Sequence, residues 1–102
     1  MANALQPIQH TVTFRLNEDV DEGWFVARAS ELAEIPGVLE FEVLEQVGQK
    51  ATQFTLALSM WFNTSADYDS YNEHPDHVDF VENVWIPNVA EFLELDYLRV
   101  AQ

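Results

Sequence analysis

The segment Tyr71-Asn72-Glu73-His74-Pro75-Asp76-His77 places a phenol and two imidazoles within seven residues. The chain has three histidines, and the third, His10, stands near the start among apolar neighbours. Imidazole is the side chain whose ordinary pKa lies closest to neutrality, so histidines that converge with a tyrosine can move a proton at physiological pH. In that arrangement His77 is the base, Tyr71 holds an oxyanion or a phenol, and His10 is the third candidate catalytic residue. A structural role fits the same residues. A half-buried histidine bonded to Tyr71 or to a backbone carbonyl would fasten two helices together, because buried polar groups need partners whatever their function. His74 precedes Pro75 and is placed to cap a helix that starts at the proline, which makes the His74-Pro75 pair a structural motif. Zinc is a poorer match, since Asp76 and Asp79 fall on the helix side opposite His77 and leave too few converging ligands.

These residues need elements to hold them. Residues 8–16 alternate, with Ile8, His10, Val12, Phe14 and Leu16 on one face and Gln9, Thr11, Thr13 and Arg15 on the other, which predicts a strand. Asp19 or Asp21 can cap a helix that runs to about Ala33 with Phe25, Ala29 and Leu32 on one stripe, and Ile35-Pro36-Gly37 stops it. A strand over 38–47 follows, with Leu39, Phe41, Val43 and Val47 on one face and Glu40 and Glu42 on the other. Gly48-Gln49-Lys50-Ala51-Thr52 makes a hairpin turn to a third strand, 53–62, apolar on one face and small on the other until Trp61. Thr64 or Ser65 caps a short helix, 66–73, the chain breaks at His74, and a second helix over 75–86 ends at Pro87. In it His77 falls on the same stripe as Phe80, Val81, Val84 and Trp85. A last strand, 92–100, alternates Leu93, Leu95 and Tyr97 with Glu94 and Asp96.

The order is β-α-β-β-α-β with a broken second helix, the ferredoxin-like arrangement of a four-stranded antiparallel sheet in an α+β domain. Helices cover one sheet face. The other carries Thr11, Thr13, Ala57, Ser59 and Trp61, together with the acids Glu40, Glu42 and Asp96 by simple alternation, and it calls for a partner such as a second copy of the chain.

A chain of 102 residues is one domain, expected here as 8–102 after a flexible tail at 1–7. Eighteen acids against four Lys and Arg give a net charge of −14, which repels nucleic acid and anionic lipid and suits a saline cytoplasm. No apolar run is long enough to span a membrane, and the opening residues do not read as a signal peptide. There is no cysteine, hence no disulfide or thiolate chemistry, and no glycine-rich phosphate loop or nucleophile elbow. No cofactor is expected.

Several of these pieces, in this order, resemble the stress-responsive A/B-barrel (Dabb) family. They are Gln9-His10-Thr11-Val12-Thr13-Phe14, Ile35-Pro36-Gly37-Val38, Phe41-Glu42-Val43, Tyr71-x-x-His74-Pro75-x-His77, Phe80-Val81, Pro87 and Asp96-Tyr97. The resemblance covers about residues 8–98 and implies a dimeric α+β barrel, a homodimer closed through the sheet faces. It implies a small stress-associated or accessory protein with a modest apolar pocket. A distant similarity to the cyclase that makes olivetolic acid implies an alternative. This is a cofactor-free cyclase or isomerase of a small aromatic or polyketide-like molecule, with Tyr71 and His77 as its catalytic pair and His10 in the same pocket. Trp24, Phe80 and Trp85 are then the expected pocket residues. A purely structural assembly module is a third reading. Some relatives resemble a hard-cation site on the backbone carbonyls matching Leu32, Ile35 and Val38, where the first helix ends.

Overall fold

A computed structural model describes residues 5–48 and 53–101. The elements are β1 (Ile8–Leu16), α1 (Glu22–Ser30) continued by a 3₁₀ turn (Glu31–Glu34), β2 (Leu39–Glu45), β3 (Leu56–Phe62), α2 (Ser65–Glu73) and α3 (Pro75–Phe80). A π-helical turn (Val81–Trp85), the short α4 (Ile86–Asn88) and β4 (Val89–Leu98) complete the chain. The strands form one antiparallel sheet in the order β2-β3-β1-β4, which is the ferredoxin-like topology read from the sequence. Of the expected turn at 48–52, residues 49–52 lie outside the described residues, as do the first four residues of the tail.

β1 and β3 take the centre because their inner faces carry the densest apolar alternation. Val12, Phe14, Leu58, Met60 and Phe62 are all buried, and they pack against Phe25, Ala29, Leu32, Tyr71, Phe80 and Val84 from the helical layer. The starts of α1, α2 and α3 each have their own acceptor. Asp21 takes the Trp24 N–H, Thr64 takes the Asp67 N–H, and His74 Nδ1 takes the Asp76 N–H. His74 has ψ 136°, the extended geometry that Pro75 imposes on the residue before it. Among the described residues no helix is long and apolar enough to cross a membrane.

Three features depart from simple periodicity. In β2 the register slips between Leu39 and Glu42, with Glu40 at φ 50°, so the strand bulges there. Leu39 consequently pairs with Trp61 on the open face while Val43 pairs with Leu58 on the helix face, and Val47 lies beyond the strand, exposed. β4 starts at Val89 and pairs His10 with Asp96, Val12 with Glu94 and Phe14 with Phe92. Cross-strand partners share a face, so Asp96 and Glu94 face the helices. Leu93, Leu95 and Tyr97 face the open side. The expected placement of Asp96 on the open face is therefore reversed. Finally, the helix of 75–86 widens into the π turn and runs on through Pro87. That proline stands in α4 directly after the π turn, so the expectation that it ends the helix is reversed.

Candidate active site

Between the helical layer and the sheet lies a cavity of about 310 Å³. Val12, Leu58 and Met60 form its floor, and Leu32, Phe80, Val81 and Trp85 line it from the helical side. Tyr71, Asn72, His77 and His10 bring the polar groups, and Ile86, Phe92 and Glu94 complete the lining.

The break at Pro75 orients His77. In an unbroken helix the Asn72 carbonyl would accept from the Asp76 N–H. Here that N–H goes to His74 Nδ1 at 3.1 Å, and the freed carbonyl lies 3.0 Å from His77 Nδ1. A carbonyl only accepts, so His77 Nδ1 carries the hydrogen and the lone pair is on Nε2. Burial holds the His77 pKa below its ordinary value. The Asn72 bond opposes that shift, His10 adds to it, and Glu94 opposes it. The imidazole is thus neutral at physiological pH. Its ring packs on Tyr71 with centroids 4.4 Å apart. Tyr71 is buried, and desolvation followed by the charge of Glu94 pushes its phenol pKa well up, so it stays protonated.

His10 is held by a second network. Its Nδ1 is 2.7 Å from Asp96 Oδ1 and 2.8 Å from the Tyr68 hydroxyl, which in turn donates to Asp96 Oδ2 at 2.9 Å. The carboxylate accepts from both, so Nδ1 of His10 also carries hydrogen and its Nε2 is the remaining nitrogen. Tyr68 is fixed by stacking on Phe62, with centroids 4.9 Å apart and planes at 14°. Burial, and then the bond to Asp96, raise its pKa strongly. His10 and Tyr71 have ring centroids 6.3 Å apart. The two imidazoles and Tyr71 therefore border one apolar cavity.

Residues 8–98 match the model of the Stress responsive A/B Barrel Domain, Dabb. The chain belongs to the Dabb family. This Dabb domain is similar to a Dabb family protein of ferredoxin-like fold from Mesorhizobium loti. The two are 40% identical over 94% of this chain and 99% of that one, with a TM-score of 0.87. It also shares its fold with a hydroxynitrile lyase from Passiflora edulis, at 20% identity over 96% and 97% of the two chains and a TM-score of 0.85. A dimeric ferredoxin-like protein of unknown function from Thermobifida fusca is 21% identical over 92% of each chain, with a TM-score of 0.78. No curated protein matches the sequence.

Phe80 and Trp85 line the cavity of this Dabb domain, but Trp24 does not. Phe25 takes the core side of α1 and is fully buried, which turns Trp24 outward, 44% exposed, with the Arg28 guanidinium 6.0 Å from its ring. His74 caps α3 and is absent from the cavity lining. At the end of the first helix, the Leu32 and Ile35 carbonyls accept from the N–H groups of Ile35 and Val38 at 3.1 and 3.2 Å. Two of the three expected carbonyls thus already accept a hydrogen bond, and a calcium-like ion there would need further oxygens beyond the three. Among the described residues no group of three or more His, Asp or Glu is placed to hold a metal.

Asp96 and Tyr68, which hold His10, and Glu94, which lines the cavity, are the residues of the candidate site that sequence reasoning missed. Asp96 stood only as a family marker and on the wrong face. The one signal that finds it is the β1–β4 register, which sets it opposite His10.

Proposed function

We propose that this Dabb protein is a cofactor-independent acid–base enzyme of the lyase, isomerase or cyclase type. Its substrate is a small, largely apolar molecule that carries a carbonyl or hydroxyl oxygen. The observation that carries this reading is His77, neutral and donating through Nδ1, bordering an apolar cavity with the protonated Tyr71 against its ring. Tyr71 donates its hydroxyl hydrogen to the substrate oxygen and stabilises the charge that develops there, while His77 Nε2 takes the proton. His10, held by Asp96 and Tyr68, supplies a second imidazole for returning a proton elsewhere on the substrate. A cavity of about 310 Å³ is at the small end of ligand sites and suits a molecule of one or two rings. That the fold serves a hydroxynitrile lyase in Passiflora edulis supports the reaction class.

The decisive comparison offers small aromatic hydroxynitriles and α-deuterated aryl ketones to the wild type, His77→Gln and Tyr71→Phe, following aldehyde release or deuterium loss. Wild-type turnover should fall by about 10²- to 10⁴-fold in His77→Gln while its thermal melt stays close to wild type. A second reading has its own observation, the His77–Asn72 bond that ties α3 to α2. If no compound in the panel reacts and both variants lose roughly 1–3 kcal/mol of stability, the motif is a fastener and the enzyme reading is abandoned.

We further infer that two copies pair through the open sheet face. Leu93, Leu95 and Tyr97 are each about half exposed there, beside Trp61 and Leu39. Contiguous apolar surface of this kind is uncommon on monomers. Structures of similar fold described as dimeric support the pairing.

A further inference from the structure

We propose that Glu94 selects the charge of what enters the cavity, so that the site takes uncharged and cationic small apolar molecules and turns away carboxylates. This rests on the cavity being the ligand site argued above and narrows its substrate class.

Glu94 is the single carboxylate in a lining that is otherwise aliphatic, aromatic, imidazole and amide. Its register opposite Val12 puts it on the helix face of β4, and it is exposed, so it stands at the mouth and not in the depth. Its charge reaches inward all the same, acting on Tyr71, Tyr68 and His77. Among the described residues no Lys or Arg lines the cavity, and Arg28 lines a separate cleft, where it is engaged by Glu31 and Asp79. His10 brings no net positive charge in either protonation state, because its partner Asp96 is a carboxylate. A carboxylate ligand would thus lose water without gaining a counter-charge, and would meet Glu94 on the way in. An ammonium would meet Glu94 and a lining that includes the rings of Trp85, Phe92 and Tyr71, a setting that suits organic cations. A neutral ligand would be indifferent.

An inward-pointing charge on an edge strand also guards against edge-to-edge association, and β4 is an edge strand. The test must therefore read ligand preference and not solubility. Three probes of similar shape and different charge serve this purpose: phenethylamine, 2-phenylethanol and phenylacetate. They are titrated into the full chain with detection by tryptophan fluorescence and by the imidazole NMR signals of His77. Phenylacetate should bind at least about fivefold more weakly than the alcohol, the effect of a unit charge a few ångströms away even in a water-like dielectric, and the amine at least as well. Glu94→Gln should narrow the gap between phenylacetate and the alcohol by about fivefold, while Glu18→Gln, which removes the same charge outside the lining, should keep the wild-type gap. Equal binding of the three probes to wild type, or an unchanged gap between phenylacetate and the alcohol in Glu94→Gln, overturns the assignment to Glu94 and leaves the cavity as the ligand site. Failure of all three to bind either protein overturns both readings.

Discussion

His77 donates to a carbonyl that the helix break has freed, and its pKa is held down chiefly by burial. Two pH effects follow with the same sign. The unfolded chain binds a proton near the ordinary value of about 6.5, whereas the folded chain resists it until lower pH. Between those two values the unfolded state binds more protons, so stability is full above about pH 6.5 and declines as pH falls toward the depressed value. Catalysis by the neutral base should show an acid limb that starts below pH 6.5 and a plateau above it. His77→Gln should flatten this part of the stability profile, measured by urea unfolding between pH 5 and 7.5; a profile that keeps its slope would assign it to other groups. The Tyr71–His77 pair was legible in the sequence because all its determinants lie within seven residues. Asp96 was not, since its bond to His10 spans 86 positions and depends on strand register. Trp24 misled because the size of a ring says nothing about which side of a helix it takes.

At the scale of elements, the join between α2 and α3 does more than change direction. Pro75 fixes His74 in extended geometry, His74 takes the Asp76 N–H, and the Asn72 carbonyl is left for His77. Pro75→Ala permits the helix to run through, which would return the Asp76 N–H to Asn72 and release His77 Nδ1. The variant should lose only about 0.4–1 kcal/mol, mainly through the unfolded chain, while the Nδ1–H signal of His77 loses its single protected state in ¹⁵N NMR and activity drops. A protected Nδ1–H in Pro75→Ala would mean that packing on Tyr71 alone orients the ring. Such caps and breaks are readable in sequence because each is a short-range device of one or two residues. The faces of β2 and β4 are another matter. A period of two separates the residues of a strand into two sets without saying which set is inside, and apolarity alone pointed the wrong way for Leu93, Leu95 and Tyr97. The bulge at Glu40 then moved Leu39 across the sheet, and no residue type announced it.

For the whole molecule, charge and apolar surface pull against each other. The open face offers Leu93, Leu95, Tyr97, Trp61 and Leu39, with the Arg99 guanidinium 4.0 Å from the centre of the Trp61 ring. Burying such a face favours a pair of chains, and obligate interfaces of this kind commonly cover roughly 2,000 Å² or more. Each copy carries a net charge of −14, however, and bringing two together raises their mutual repulsion. Leu93, Leu95 and Tyr97 are not interrupted by charge, because Glu94 and Asp96 face the helices; two acids do flank the strip on the open face, Glu91, which lies 3.7 Å from Arg15, and Glu42, opposite Ser59, and the remaining acids repel from a distance. Long-range repulsion is what salt removes: the Debye length falls from about 30 Å at 0.01 M to about 3 Å at 1 M. The proposed dimer should therefore tighten and its melting temperature rise as sodium chloride is raised over that range, with light scattering reporting dimer mass at micromolar concentration in moderate salt. Trp61→Asp should shift the population to monomer at every salt concentration, because it places an acid inside the strip, where screening is poorest. Monomer mass for the wild type in high salt would reject the pairing, and a melting temperature insensitive to salt would show that the acids repel too weakly to oppose it.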